Sequence, residues 1–310
     1  MLRQANFSEL QESLSLLEIQ RKLVVKCRTK FWITLVIAFV IIMFSVATKN
    51  TALMMFAGVL VFTSFAVAAR FSNKFKELKK VYNTAYKNWI ISGLLKQVDA
   101  KLDFQATNGI GSHALIRSKL FDNVAGEYTT EDFVGGVLEK TWFAFAEVRV
   151  KRVEYYNAEG KKNTNFKGIF FCADFNKHFN GVTILRSKLG KEKIKPKGLS
   201  GRELVTLEKP EFNKIFGVYS TDQIEARYIL TPSLMDRILD LHARTRVNMS
   251  ISFVDSSVFI ALPLKYNYFE APVNKSLLQT NSINRDFDML FSLCGIVKDL
   301  DLNTRIWTKE

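Results

Sequence analysis

Histidine, cysteine and proline are scarce in this sequence. Three histidines, three cysteines and five prolines in 310 residues leave little material for metal cages, disulfide frameworks or proline-rich linkers. Cys27, Cys172 and Cys294 are odd in number and widely spaced, with no C-x-x-C pair. That argues against a disulfide scaffold or a zinc site, fits a reducing compartment, and predicts Cys172 and Cys294 buried as small hydrophobes. His113 and His242 are isolated, and no H-E-x-x-H, G-x-S-x-G or P-loop pattern occurs. Gly109-Ile-Gly111 lacks the third glycine and the preceding apolar strand of a dinucleotide fingerprint. The expectation is therefore no cofactor, no metal and no recognisable catalytic residue.

Acidic residues are the minority, 30 against 44 Lys and Arg, for a net charge of +14. A nucleic-acid binder would gather such charge on one face with aromatics interleaved for stacking. Here much of it flanks two apolar runs, and from about residue 201 the chain is near neutral, so nucleic acid is not an expected partner.

Those runs are the strongest signal present. Phe31–Ala47 and Ala52–Ala69 carry no charge, and each approaches the roughly 20 residues a helix needs to cross hydrocarbon. Only Thr48-Lys-Asn-Thr51 separates them, which predicts an antiparallel transmembrane hairpin over 31–69. Arg21, Lys22, Lys26, Arg28 and Lys30 precede the first helix, and Arg70, Lys74, Lys76, Lys79 and Lys80 follow the second, with Lys49 alone in the turn. The positive-inside rule then puts both termini and everything after the hairpin in the cytoplasm.

The hydrophobic period continues beyond the runs. Phe71, Phe75, Leu78, Tyr82, Ala85 and Trp89 recur at steps of four and three, and Ile91, Leu94, Leu95, Val98 and Leu102 continue on a shifted stripe. Phe7, Leu10, Leu14 and Leu17 give a matching stripe on the other arm. An amphipathic helix over 1–30 is thus expected to run beside a juxtamembrane stalk helix over 70–104.

Residues 105–136, with five glycines among polar residues and a short helix around Ala114–Leu120, read as an irregular connector. Residues 137–310 read as a cytosolic α+β domain: an antiparallel β-rich domain with a C-terminal helix packed on the sheet. Thr141–Tyr156 is a strand with a bulge near Lys151 and Arg152, because Val148 and Val150 share one face and Val153 and Tyr155 the other. Phe166–Phe175, apolar on both faces, is a central strand. Val182–Arg186 is another, and a second hairpin turns at Asp255-Ser-Ser257. Ser220 with Gln223 fits a capping box, and Thr231-Pro232 opens a helix whose Leu234, Ile238 and Leu241 share a face. Ile283, Phe287, Leu290, Cys294 and Val297 mark the C-terminal helix.

Two polar groups stand out as weak candidates for a functional surface. Asp174, Asn176 and His178 would alternate to one face if their strand continued, as an acid–base group requires. Asp222, Glu225 and Arg227 could line a polar site, though helix-end charges account for them as well. The run Arg186, Lys188, Lys191, Lys193, Lys195 and Lys197 could touch anionic headgroups.

Three blocks resemble a known family: Phe166–Lys177, Leu207–Phe212, and Val218–Tyr228 with Leu230-Thr-Pro232 and Ser252–Asp255. They are similar to the bacterial membrane proteins grouped as domain of unknown function 3137, over roughly Lys140–Glu270. The resemblance implies apolar helices before the domain and a place in the bacterial inner membrane, and it carries over no catalytic residue. The functional expectation is a membrane-anchored, non-enzymatic scaffold or interaction module at the cytoplasmic face, with lipid and a protein as partners. The alternative is a membrane-tethered, hydrolase-like enzyme with an unfamiliar site.

Overall fold

The computed structural model describes residues 10–48, 51–121, 127–156, 159–175, 177–188, 201–264, 267–279 and 281–302. The chain divides into two compact units, Met1–Gly93 with Phe269–Phe287, and Leu94–Tyr268 with Asp288–Glu310.

The first unit is built on two long helices, α1 (Gln11–Thr48) and α2 (Thr51–Tyr86). At 1.5 Å per residue, each is far longer than the roughly 30 Å of a hydrocarbon core. Both are long and apolar enough to cross a membrane by length and composition, and only 6% and 11% of their most apolar stretches are buried. Small residues face inward: Ala38, Ser45, Ala57 and Ala68 are buried, whereas Trp32, Phe39, Phe44, Phe56 and Phe62 point outward. Large side chains outside and small ones between helices is the arrangement for a helix pair solvated by lipid.

Toward the charged ends the pattern reverses. Leu10, Leu14, Leu17 and Val24 of α1 are buried, as are Tyr82 and Tyr86 of α2; Phe71, Phe75, Leu78 and Ala85 of the expected second stripe are half-buried, its Trp89 is exposed, and Phe7 lies outside the described residues. The shift of the second stripe has a local cause. A π-helical turn, Lys87–Ile91, joins α2 to α3 (Ser92–Val98) and rotates the buried face by adding a residue to one turn.

A strap formed by residues 269–279 is tied to these helices by polar bonds. Glu18 (6% exposed) accepts from Arg21 Nε and Nη2 and from the Leu277 N–H, at 2.7–3.0 Å. Arg21 also donates to the Val273 carbonyl, and Arg28 to Asn274 Oδ1. Tyr82 donates to the Pro272 carbonyl, and Asn83 Oδ1 accepts from the Ala271 N–H. Buried Lys87 pairs with Glu270 at 3.3 Å, and Tyr86 donates to Asp286 Oδ2 at 2.9 Å. The Arg21 guanidinium holds the Glu18 carboxyl below its ordinary range, and burial lifts Asp286 above its own.

The second unit is a mixed structure around one antiparallel sheet. Its described strands are β1 (Asp103–Gln105), β2 (Glu127–Leu138), β3 (Thr141–Tyr156), β4 (Glu159–Asp174), β5 (Val182–Ser187), β6 (Glu203–Val205), β7 (Phe216–Ser220), β8 (Ser250–Val254) and β9 (Ser257–Pro263). They lie in the order β1-β2-β3-β4-β9-β8-β5-β7-β6. β4 is central, as its two apolar faces require, and β3 shifts register between Val150 and Lys151. Gly168 lets β4 approach β9, since a Cβ there would overlap the Leu262 carbonyl oxygen.

One face of the sheet packs Ala144, Ala146, Val148, Phe170, Cys172 and Phe259 against Ile110, Leu115 and Leu120, the last three around helix α4 (Ser112–Arg117). The opposite face stacks Phe143 on Phe145 and Phe171. Beyond the sheet core lie α5 (Pro210–Ile215), α6 (Gln223–Ile229) and α7 (Pro232–Thr245), the last capped by Thr231 and burying Leu234, Ile238 and Leu241. The C-terminal helix α8 (Asn281–Asp299) buries Leu290, Cys294 and Val297. Arg237 and Arg244 of α7 reach Asp301 and Asp299 at its end. Cys172 and Cys294 are buried thiols pushed up to about 12 by desolvation.

Two local expectations are corrected. Residues 105–136 are not an irregular connector: β2 occupies 127–138 and pairs with β3 over most of its length. Gly135 and Gly136 sit inside that strand, and a Cβ on Gly135 would strike the Phe133 ring. Nor does Ser220 cap α6. It ends β7, and Asp222 is the cap, its side chain accepting from the Ile224 and Glu225 N–H groups.

Candidate functional site

Register brings the two polar groups read from the sequence to the same end of the sheet. Asp174, the last residue of β4, lies opposite Ser257, and Thr183 near the start of β5 lies opposite Ser220 at the end of β7. The β4–β5 loop, the β7–α6 turn and the β8–β9 turn therefore meet. Phe175, Phe179 and Phe253 form a ring cluster beneath the loop, with centroids 5.3–5.9 Å apart.

The polar atoms there are used to hold the loop. Glu225 accepts the N–H groups of Asn180 and Gly181 at 2.8 Å each, one on each carboxylate oxygen. Gly181 is required where it stands, because a Cβ would meet Thr221 Oγ1 at 2.7 Å and Glu225 Oε2 at 2.9 Å. Phe175 and Phe179 donate their N–H groups to Ser256 and Asp255 carbonyls. Lys177 lies over the Tyr228 ring at 3.0 Å, and burial lowers its pKa although Glu225 opposes the shift. Arg227 donates to the Gln223 and Thr206 carbonyls, and exposed His178 meets Ser256 Oγ at 3.4 Å. Of the five candidates, Glu225 clamps the loop, Asp222 caps α6, Arg227 binds carbonyls of α6 and Thr206, His178 meets Ser256, and Asp174 ends β4; none of them lines the described cavity. Asn176 lies outside the described residues.

The basic run divides. Arg186 donates to the Leu120 carbonyl at 2.9 Å and Lys188 to the Asn213 carbonyl at 2.6 Å, so both are anchored to backbone. Lys191, Lys193, Lys195 and Lys197 lie outside the described residues. His242 is buried edge-on to Phe216, with desolvation lowering its pKa, and His113 is exposed on α4.

A cavity that periodicity gave no sign of lies farther down the sheet. It has a volume of about 360 Å³ and is lined by Thr129, Thr130 and Glu131 of β2, Glu147, Val148 and Arg149 of β3, Lys167 of β4, and Asn267. Thr129, Arg149 and Lys167 are direct cross-strand partners in one row, and Glu131 faces Glu147 in the next. Glu147 is almost fully buried and accepts the Tyr268 N–H at 2.6 Å. Asn267 Oδ1 is buried without a hydrogen-bond partner.

Against known proteins, residues 164–302 match the family described as Protein of unknown function (DUF3137). The match runs from within β4 through α8, farther toward the C-terminus than the resembling blocks extend. No curated protein matches the chain. A solved structure, the mycobacterial trehalose monomycolate transport factor A, is 14% identical over 65% of this chain and 96% of its own, with a TM-score of 0.32. That likeness is too slight to bear on fold or role.

Proposed function

We propose, starting from a sheet unit whose family has no assigned activity, that this protein is a two-pass anchor of the bacterial inner membrane carrying a non-enzymatic interaction module on the cytoplasmic side. The observation that carries the reading is the outward-facing apolar surface of α1 and α2, where Phe39 and Phe62 are 62% and 76% exposed. Each such aromatic side chain left in water forgoes about 1.5–3 kcal/mol of burial, and a full turn-by-turn array of them needs a lipid solvent. Core helices of a water-soluble protein bury that face.

Orientation rests on the basic residues outside both apolar ends, against Lys49 alone in the turn. The module reading rests on how the polar side chains are employed. Asp222, Glu225 and Arg227 satisfy backbone groups, and the contact of Ser256 Oγ with exposed His178 at 3.4 Å is long and lies outside the described cavity. A protein partner for the sheet unit and the bilayer for the helices are the partners this arrangement suits.

Salt- and carbonate-washed membranes test the anchor: the full chain is expected in the pellet, and a folded monomer in the supernatant overturns it. Reporter fusions test orientation, with cytoplasm-active reporters expected to work at the C-terminus and to fail in the 49–50 turn. Crosslinking in mild detergent tests the module, and the absence of any specific protein partner removes it.

A further inference from the structure

The cavity between β2, β3 and β4 carries an arrangement that folding alone disfavours. Arg149 and Lys167 are direct cross-strand partners, and like charges directly opposite one another destabilise a sheet. Both are half-buried, and among the described residues neither side chain has an ion-pair partner. The exposed Thr129 sits opposite Arg149 on the other side, completing a row of hydroxyl, guanidinium and ammonium across three strands.

The next row, roughly 7 Å along the strands, is also like-charged, with Glu131 opposite Glu147. Beside it, Asn267 presents a buried amide oxygen that lacks a donor. The cavity thus has a cationic, donor-rich pole and an acceptor-rich pole. Sheet registers normally intersperse signs across strands, whereas here the signs are segregated around open space.

We propose that this cavity binds a phosphate ester bearing a primary amine at its other end, of the phosphoethanolamine kind. The guanidinium fork of Arg149 takes two phosphate oxygens, Lys167 supplies a point charge, and Thr129 gives a third donor. The amine donates to Asn267 Oδ1 and faces the carboxylate of Glu131. A volume of about 360 Å³ is at the small end of ligand pockets and suits a headgroup-sized molecule rather than a nucleotide. The cavity lies wholly within the sheet unit, so the inference does not depend on the membrane reading. The same chemistry is offered by a free phosphoester and by a phosphatidylethanolamine headgroup.

Calorimetric titration of the full chain in detergent micelles tests the site, with inorganic phosphate, O-phosphoethanolamine, ethanolamine and acetate as probes. O-phosphoethanolamine is expected to bind and raise the melting temperature, inorganic phosphate to bind more weakly, and ethanolamine and acetate to bind at least about tenfold more weakly still. R149Q/K167Q is expected to lose about tenfold or more in affinity for both phosphates, and T129V, which removes one hydroxyl only, to lose less. E131Q should narrow the preference for phosphoethanolamine and leave inorganic phosphate unchanged. Repeating the titration in nanodiscs of phosphatidylcholine, with and without phosphatidylethanolamine, separates the sources. Weaker soluble-probe binding in the presence of phosphatidylethanolamine assigns a lipid headgroup, and unchanged binding assigns a free phosphoester. No binding of either phosphate, equal binding of acetate, or unchanged affinity in both R149Q/K167Q and T129V overturns the proposal.

Discussion

The paired helices and the sheet use the same apolar residues in opposite ways. In the sheet unit the large aromatics are interior: Phe143, Phe145, Phe170 and Phe171 are fully buried, and Trp142 and Val137 are among the few bulky apolar groups left outside. In the most apolar stretches of α1 and α2 the large groups are exterior, and Ala38, Ala57 and Ala68 are buried between the helices. The same residue types are thus carried on opposite sides in the two regions. Hydrophobicity alone therefore does not place a segment, and the side on which bulk is carried does.

The largest test of that contrast is in the sheet. Phe171→Ala removes a ring stacked on Phe143 and is expected to cost about 3–5 kcal/mol in a denaturant melt of the full chain. Next, Phe62→Asp puts a carboxylate on the outward face of α2. In a bilayer this costs about 2.5–3.5 kcal/mol of insertion, read as a larger extractable fraction. At a water-exposed site the same change would move stability by less than about 0.5 kcal/mol, so a neutral result breaks the comparison. Asp222→Ala should cost about 1 kcal/mol through loss of the α6 cap, with Asp222→Asn recovering most of it.

The smallest effect is in pH dependence. Asp286 has its folded pKa raised by burial above the unfolded value, so its stabilising contribution is complete below the ordinary Asp range. It is lost as pH rises through the folded pKa. Asp286→Asn keeps an acceptor for Tyr86 and should flatten that part of the stability profile measured by melts across pH.

Much of the fold could be read from residues whose faces change abruptly. The β3 bulge was legible because valines change sides around Lys151, and the helical arms because leucines and aromatics keep a period through charged sequence. β2 was hidden by Asp132, Gly135 and Gly136, which depress strand signal locally: Asp132 takes a left-handed conformation at the register shift between Glu131 and Val134, and the glycines leave room for the Phe133 and Leu102 side chains. The capping assignment slipped by two residues because Ser220 and Asp222 both carry cap chemistry, and β-pairing of Ser220 with Thr183 decided between them. The cavity was illegible for a different reason. Its rows arise from hairpin register, and a bulge between Val150 and Lys151 changes which residues face each other.

The Glu18 carboxylate and the Leu277 N–H it receives are 259 positions apart in the chain. In translation order Glu18 and the two helices precede that donor, with the entire sheet between them. Truncations late in the chain therefore remove bonding partners from its earliest-made part. A premature stop before residue 269 would leave Glu18, Asn83 and Lys87 without Leu277, Ala271 and Glu270.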